Sequence, residues 1–221
     1  MLDKLKRLIV LTGHYGCGKT NLALNLAYDY KARGEDVSIV DLDIVNPYFT
    51  TSDYTKKLTE KGIHVTAPKY AGTLTETPSL SREISAVLTG EDRVIVDLGG
   101  DDVGARALGR FYHDILSAGG LDMIYLFSIY RPQTRDIYEV ISHMNSVEAA
   151  SRQKIGYLIN SSNLGQGTKE ADIENSINFS EELSKISKVP LLTTVEVSDN
   201  KMSDVPNRYY IKRYVKLPWE R

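Results

Sequence analysis

The stretch Gly13-His-Tyr-Gly-Cys-Gly-Lys-Thr20 decides the fold of this chain. It satisfies the pattern G-x-x-x-x-G-K-[ST], follows a short apolar run that is predicted to be a strand, and leads into apolar residues at helical spacing. Glycines in such a loop let consecutive backbone N–H groups surround phosphate oxygens, and the start of the next helix adds partial positive charge. The sequence therefore predicts a phosphate-binding loop rather than a glycine-rich turn.

The loop also assigns roles to its side chains. Lys19 is expected to reach the β- and γ-phosphates of a nucleotide, and the Thr20 hydroxyl is expected to ligate Mg²⁺. A dinucleotide fingerprint is excluded, because Asn21 stands where its third glycine would be. The loop residues predicted to bind the nucleotide are Gly13, Gly16, Cys17, Gly18, Lys19, Thr20 and Asn21.

Short apolar runs rich in β-branched residues recur along the chain, and helix-length stretches with apolar stripes separate most of them. The predicted strands are Arg7–Thr12, Val37–Leu42, Ile63–Ala67, Arg93–Leu98, Met123–Ser128, Lys154–Asn160 and Leu191–Val197. This alternation predicts an α/β fold with a mostly parallel sheet of about seven strands and helices on both faces. No linker or repeat marks a boundary, so residues 1–221 are expected to form a single domain.

Composition and charge exclude several classes of protein. The 221 residues are 42% hydrophobic and 25% charged, which excludes disorder as the main state. A net charge of -2 provides no whole-surface positive field, so nucleic acid is not an expected partner. The single cysteine, Cys17, excludes a disulfide framework, and it is either a redox-sensitive thiol or a small loop residue. Because the apolar run near the N-terminus is too short for a signal peptide or a membrane span, we expect a cytoplasmic protein.

Acidic residues follow the second and fourth predicted strands. Asp41 and Asp43 are expected at the edge of the phosphate loop, because the carboxyl ends of parallel strands share one edge. This pair of carboxylates suits two roles: to hold a water of bound Mg²⁺, and to orient the water that attacks the phosphate. Asp97 and Gly100 have the spacing D-x-x-G, which suits a carboxylate near the metal and a backbone N–H that meets the γ-phosphate. In each case the alternative is a turn or helix cap without function.

The sixth predicted strand ends in Asn160-Ser-Ser-Asn163, where P-loop proteins often recognise the base. The guanine code Asn-Lys-x-Asp is absent, and Thr168–Asp172 contains one residue too many for Thr-Lys-x-Asp. Without an aspartate placed for the guanine amino edge, ATP is favoured over GTP. Asn160 is the candidate hydrogen-bond partner of adenine, with a structural strand-end residue as the alternative. Arg131, after the fifth strand, is a further candidate contact for a substrate.

These sites together resemble the ParA/MinD/CobQ–CobB family of P-loop ATPases over roughly the whole domain. The segments that carry the resemblance are GHYGCGKTNLALNLA at 13–27, VDLDIVN at 40–46 and VIVDLGG at 94–100. The resemblance implies a P-loop NTPase fold with ATP and Mg²⁺ as ligands. The implied catalytic residues are Lys19, Asp43 and Asp97, the implied metal residues are Thr20, Asp41 and Asp97, and the implied nucleotide contacts extend to Gly100 and Asn160.

One departure from the family pattern concerns the start of the loop. The family motif reads K-G-G-x-G-K-[ST], whereas His14 and Tyr15 replace its leading lysine and first glycine here. In the family that lysine contacts nucleotide across a sandwich dimer, so this mechanism is not expected here and the oligomeric state is left open. His14 is a candidate substitute as a partial cation, with a packed loop histidine as the alternative. The chain is most similar to a bacterial branch with loops of the GHYG type.

The resemblance leaves three functions open. The first is a Mg²⁺-dependent ATPase whose slow hydrolysis switches the loops at 41–50 and 97–104 and signals to a protein partner. The second is an ATP-dependent small-molecule kinase or ligase of the dethiobiotin-synthetase or cobyrinate-amidation type, and the third is a module that binds nucleotide without turnover. The basic and aromatic segment at 206–221 is either a binding surface or a segment that packs on the sheet edge.

Overall fold

A single sheet in which all pairings are parallel forms the centre of the computed structural model, which describes residues 2–43, 51–67, 78–163, 167–197 and 207–215. Its strands are β1 (Leu8–Thr12), β2 (Val37–Leu42), β3 (Ile63–Thr66), β4 (Arg93–Leu98), β5 (Leu121–Phe127), β6 (Ile155–Asn160), β7 (Leu191–Val197) and β8 (Arg208–Ile211). They lie in the order β3-β2-β4-β1-β5-β6-β7-β8 across the sheet. The α/β fold class predicted from the sequence is confirmed.

The predicted strands are all present, with ends that differ by at most two residues, and β8 is an addition to them. This strand pairs with β7, with Tyr209 opposite Val195. The sequence did not predict it, because a four-residue run with two tyrosines beside charged residues gives no clear alternation of apolar and polar positions. Part of the basic and aromatic segment therefore packs on the sheet edge, while residues 206 and 216–221 lie outside the described residues.

Helices cover both faces of the sheet. They are α1 (Lys19–Ala32), α2 (Thr55–Glu60), α3 (Pro78–Thr89), α4 (Asp102–Gly109), α5 (Tyr112–Ser117), α6 (Ile137–Ser151) and α7 (Glu170–Ser187). In β1, Ile9 and Leu11 belong to the apolar cluster of α1 and α2, whereas Leu8 and Val10 belong to the cluster of α3 to α7. Burial on both faces explains why β1 is continuously apolar in sequence. Among the described residues, no helix combines the length and the apolar character needed to cross a membrane.

The strand order brings the predicted site residues to one edge of the sheet. β4 lies between β2 and β1, so Asp97 has Asp41 beside it on one strand and Leu11 on the other. The phosphate loop leaves β1 two residues after Leu11. The loop and both acidic strand ends therefore meet at the carboxyl edge, where ligands bind in open parallel sheets.

Candidate nucleotide-binding site

The phosphate loop turns between β1 and α1 through glycines with positive φ: Gly13 at 137°, Gly16 at 78° and Gly18 at 89°. A Cβ on Gly13 would lie 2.1 Å from the carbonyl oxygen of Leu126, so only glycine fits there. In the part of the chain that the structure describes, no side chain caps the first turn of α1. The N-terminal N–H groups of this helix are therefore arranged as in sites that bind an anion.

Lys19 is a buried cation at the start of α1, with 6% of its surface exposed. Its Nζ donates hydrogen bonds to the carbonyl oxygens of Gly13, at 2.9 Å, and His14, at 3.3 Å. Within the described residues these neutral oxygens are its hydrogen-bond partners, and it forms no ion pair. Because a buried ammonium is costly without a counter-charge, a bound phosphate would complete the site.

Asp97 ends β4 in a fully buried position. Its Oδ2 accepts hydrogen bonds from the hydroxyls of Thr20, at 2.7 Å, and Thr51, at 2.9 Å. Its Oδ1 is buried and has no hydrogen-bond partner within the described part of the chain. Burial raises the pKa of Asp97 to about 6, against the lowering effects of the Thr20 hydrogen bond and of Lys19. The carboxylate thus carries an unsatisfied acceptor in the position where the sequence predicted a metal shell.

Asp41 and Asp43 lie beside this carboxylate. Asp41 is 2% exposed and accepts a hydrogen bond of 3.1 Å from the backbone N–H of Asp43. Asp43 is partly buried and adjoins Gly99, whose Cβ would lie 3.1 Å from Asp43 Oδ1. The structure therefore brings all the predicted carboxylates to one edge, although their individual roles stay predictions. Residues 44–50, which include most of the predicted switch loop after β2, lie outside the described residues.

The residues at this edge fit a magnesium site. Mg²⁺ at phosphate sites keeps several waters and takes one or two protein oxygens together with phosphate oxygens. A protein cage is not required, and the described residues contain no group of three or more His, Cys, Asp or Glu side chains that could form one. The Thr20 hydroxyl and the unpartnered Oδ1 of Asp97 are oxygens that such an ion and its waters would use.

Gly100 holds the D-x-x-G turn against the phosphate loop. A Cβ on Gly100 would lie 2.2 Å from the carbonyl oxygen of Gly13, so a side chain there would separate the two loops. The Gly100 carbonyl accepts a hydrogen bond of 2.7 Å from Nε2 of His143 on α6. The ring of His143 stacks on the ring of His14, with centroids 3.7 Å apart. The phosphate loop, the D-x-x-G turn and α6 therefore form one connected cluster.

His14 is not the partial cation that the sequence analysis considered. Burial, with contributions from His143 and Lys19, lowers the pKa of His14 to about 4. Its ring is therefore neutral at pH 7, and it packs as a loop histidine. A different cation reaches the loop, because Nε of Arg131 donates a hydrogen bond of 2.9 Å to the Gly16 carbonyl.

Asn160 does not present its side chain for an adenine contact in this structure. It is fully buried, its Nδ2 donates to the Ser176 hydroxyl at 2.6 Å, and its Oδ1 accepts from the Ser162 N–H at 3.0 Å. Both ends of the amide thus fasten the end of β6 to α7 and to the following turn. These contacts agree with the structural alternative, a strand-end residue, and the contact of Asn160 with adenine stays a prediction.

Asn21 also serves a different purpose from the predicted nucleotide contact. Its Oδ1 accepts from the backbone N–H groups of Tyr214 and Val215, and its Nδ2 donates to the Lys212 carbonyl at 3.0 Å. Asn25, one turn later, binds the N–H and the carbonyl of Lys212. The side chain of Asn21 is therefore engaged by the C-terminal segment, and no sequence pattern predicts that this segment packs on α1.

Cys17 is a packed loop residue. Its side chain is 2% exposed, and burial raises the pKa of the thiol despite the opposite effect of Lys19. The redox-sensitive alternative is therefore not supported. Any contact of Cys17 with a nucleotide would come from its backbone N–H.

The sequence analysis missed Thr51 and His143. Thr51 is fully buried against Asp97, but it follows a stretch without periodicity, so nothing in the sequence singled it out. His143 had a signal that was overlooked. It interrupts the apolar stripe of α6 between Val140 and Val147, which are both buried. A polar residue at such a position requires a buried partner.

Comparison with known proteins gives the fold. No family profile and no curated relative match this chain. The signal recognition particle receptor FtsY from Elizabethkingia anophelis matches with 17% identity and a TM-score of 0.56, over 90% of this chain and 61% of that structure. The signal recognition particle 54 kDa protein from Aeropyrum pernix K1, solved with GDP, matches with 18% identity and a TM-score of 0.55, over 85% of this chain and 41% of that structure.

A third solved structure, the cell division protein FtsY from Thermotoga maritima, matches with 13% identity and a TM-score of 0.51. These similarities show that the chain has the fold of the P-loop NTPases. The chain spans between 41% and 62% of the length of these three structures. Membership of the ParA/MinD/CobQ–CobB family stays a prediction from the sequence motifs.

Proposed function

We propose that the protein is a Mg²⁺-dependent ATPase whose hydrolysis cycle moves the loops after β2 and β4 and signals the nucleotide state to a protein partner. The observation that carries the proposal is a pair of buried side chains of opposite charge near the start of α1. Lys19 is buried against neutral carbonyls, and Asp97, bonded to Thr20, is buried with one oxygen that has no hydrogen-bond partner among the described residues. A phosphate with a divalent cation would satisfy both charges.

Phosphate binding follows from the loop. The uncapped N–H groups at the start of α1 would donate to phosphate oxygens, and Nζ of Lys19 would exchange its bonds to Gly13 and His14 for bonds to the β- and γ-phosphates. Hydrogen bonds to charged groups are each worth about 1.5–3 kcal/mol, so the exchange of a carbonyl for a phosphate is favourable. Lys19 is therefore the side chain on which affinity depends most.

The hydrolytic step would use the carboxylates at the same edge. Bound Mg²⁺ would supply positive charge that neutralises the phosphate oxygens during the reaction. Thr20 and Asp97 would hold that ion and its waters. Asp43 would accept a hydrogen bond from the attacking water and orient it, and the N–H of Gly100 would bind the γ-phosphate.

The base is proposed to be adenine. Guanine presents N–H donors that need a carboxylate acceptor, and the described residues at the end of β6, 160–163, include none. The nearest later carboxylates are Glu170, whose Oε1 lies 3.9 Å from Nη2 of Arg208, and Asp172, which accepts from the Lys169 N–H at 2.8 Å at the start of α7. Solved neighbours in complex with GDP make guanine the competing base. Competition between ATP and GTP therefore tests this part separately.

A protein partner would detect the conformation of the D-x-x-G turn through its contact with α4. Asp101 caps this helix by accepting from the N–H groups of Val103 and Gly104. Val103, 38% exposed, is an apolar side chain placed directly after the turn. Movement of Gly100 would therefore shift the cap and the surface around Val103. An exposed apolar residue beside an element that moves with the nucleotide state would suit a binding surface.

The test of the proposed function is phosphate release by the purified chain. We expect slow release from ATP with Mg²⁺ and no added metabolite, and none after chelation with EDTA. Release that requires an added small-molecule acceptor would instead support the kinase or ligase alternative. Tight binding with no release would support the binding module and contradict an ATPase.

A further inference from the structure

His143 on α6 connects elements that belong to different parts of the site. Its Nε2 lies 2.7 Å from the Gly100 carbonyl oxygen, and its Nδ1 lies 2.7 Å from the Tyr125 hydroxyl on β5. Its ring stacks on His14 at an interplanar angle of 23°. One side chain therefore contacts the D-x-x-G turn, the central sheet and the phosphate loop.

The chemistry of the partners fixes the direction of these hydrogen bonds. A carbonyl oxygen only accepts, so Nε2 of His143 carries the proton and donates to Gly100. Burial lowers the pKa of His143, so the ring is neutral and its Nδ1 accepts from the Tyr125 hydroxyl. Tyr125 is fully buried and its pKa is raised by burial, so it keeps its proton. The chain of donors therefore runs from Tyr125 through His143 to Gly100.

Gly100 needs such an anchor. It has no side chain to pack, and its α-carbon lies so close to Gly13 that a Cβ would be 2.2 Å from the Gly13 carbonyl oxygen. A glycine has wide freedom of rotation, which would let its N–H point away from the loop. The bond from His143 removes part of that freedom at the residue expected to bind the γ-phosphate.

We propose that His143 is a positioning residue that holds Gly100 in the orientation in which its N–H meets the γ-phosphate, and so sets the preference of the site for triphosphate over diphosphate. This inference rests on the proposed function, because it requires a nucleotide at the phosphate loop. The Tyr125 hydroxyl fixes the orientation of the His143 ring, and stacking on His14 connects this orientation to the phosphate loop. A diphosphate lacks the γ-phosphate that the N–H of Gly100 would bind, so its affinity should depend little on the bond from His143 to Gly100.

The experiment compares the dissociation constants of ADP and adenosine 5′-(β,γ-imido)triphosphate, both with Mg²⁺, by isothermal titration calorimetry. In His143→Ala we expect the preference for the triphosphate analogue to fall about tenfold, which is about 1.4 kcal/mol and the scale of one hydrogen bond. The affinity for ADP should change less than about twofold on the same reasoning, since ADP lacks the γ-phosphate. In His143→Gln, whose amide retains a donor for the Gly100 carbonyl, most of the preference should return.

Matched variants separate this role from general destabilisation. His113→Ala removes an exposed histidine on α5 and should leave both constants unchanged. Tyr125→Phe removes only the hydroxyl that orients the His143 ring. The preference of this variant for the triphosphate analogue over ADP should therefore lie between those of the wild type and His143→Ala. If circular dichroism shows that His143→Ala does not fold, the preference measured for Tyr125→Phe tests the positioning role instead.

The outcomes distinguish the inference from the function on which it rests. An unchanged preference in His143→Ala, or an equal loss of ADP and triphosphate affinity, would overturn the positioning role while leaving nucleotide binding intact. A wild-type chain that binds neither nucleotide would overturn the proposed function and the inference together.

Discussion

Replacing Asp97 by asparagine should make the nucleotide-free protein more stable while it weakens binding of the magnesium-bound nucleotide. The reason is the environment of the carboxylate at the end of β4. It is fully buried, two hydroxyls share its Oδ2, and its Oδ1 has no partner within the described residues. A neutral amide of the same shape can accept both hydroxyl bonds without carrying a buried charge.

The magnitude follows from the pKa. Burial raises the pKa of Asp97 from 3.8 to about 6, which corresponds to a loss of about 3 kcal/mol of stability at neutral pH relative to acid pH. Because the folded state favours the protonated acid, this stability is fully present below pH 3.8 and is lost as the pH rises through about 6. The asparagine leaves an amide N–H unpaired, which costs about 1 kcal/mol. The net gain near pH 7.5 is about 2 kcal/mol, or about 4–8 °C in Tm for a domain of this size.

The assay is urea unfolding followed by circular dichroism, with EDTA present, at pH 4.0 and pH 7.5. The free energy of unfolding of Asp97→Asn should exceed that of the wild type at pH 7.5, and this difference should disappear at pH 4.0. Asp136→Asn serves as the control, because asparagine keeps the N-terminal cap that Asp136 gives α6. A variant less stable than the wild type at pH 7.5, or an advantage that persists at pH 4.0, would refute the reasoning.

Three further predictions concern the nucleotide. Lys19→Ala should nearly abolish binding of ATP while it keeps a native circular dichroism spectrum. Lys31→Ala removes a partly exposed lysine at the other end of the same helix and should bind ATP normally. Calorimetry of ATP with each variant checks this, and wild-type affinity in Lys19→Ala would contradict the loop assignment. Asp43→Asn should keep its ATP affinity and lose about 10²-fold in phosphate release, and an unchanged turnover would return Asp43 to a turn-forming role. ATP should bind about 5- to 150-fold more tightly than GTP in competition with Mg²⁺ present, because guanine donors would be buried unpaired; equal or tighter GTP binding would overturn the choice of base.

The fold could be predicted because its signals are local. The apolar run of β1, the glycine loop and the stripe of α1 lie next to one another in sequence, and each specifies its own structure. The positions of Asp41 and Asp97 followed from the rule that parallel strands share a carboxyl edge. Among the described strands, β8 was not predicted, because it pairs with β7 at the sheet edge and has little hydrophobic pattern of its own.

Other features of the site depend on partners that are distant in sequence. Asn160 has the residue type and the strand-end position of a base contact, yet Ser176 on α7 uses its amide. The 46-residue separation between Thr51 and Asp97 hides a bond that the fold creates. His14 has the residue type of a cation, but burial, with a smaller contribution from His143, lowers its pKa to about 4 and leaves the ring neutral at pH 7. Contacts between side chains of different helices, strands and loops therefore could not be predicted from the sequence.

A crystal structure with Mg²⁺ and adenosine 5′-(β,γ-imido)triphosphate would test the central claim most directly. We expect density for the β- and γ-phosphates within the loop of residues 13–20, with Nζ of Lys19 moved from the Gly13 carbonyl to a phosphate oxygen. We also expect an ion beside the Thr20 hydroxyl, with a water bonded to Asp97 Oδ1. Density for the nucleotide away from this loop, or Lys19 still bonded to Gly13 with the nucleotide bound, would contradict the claim.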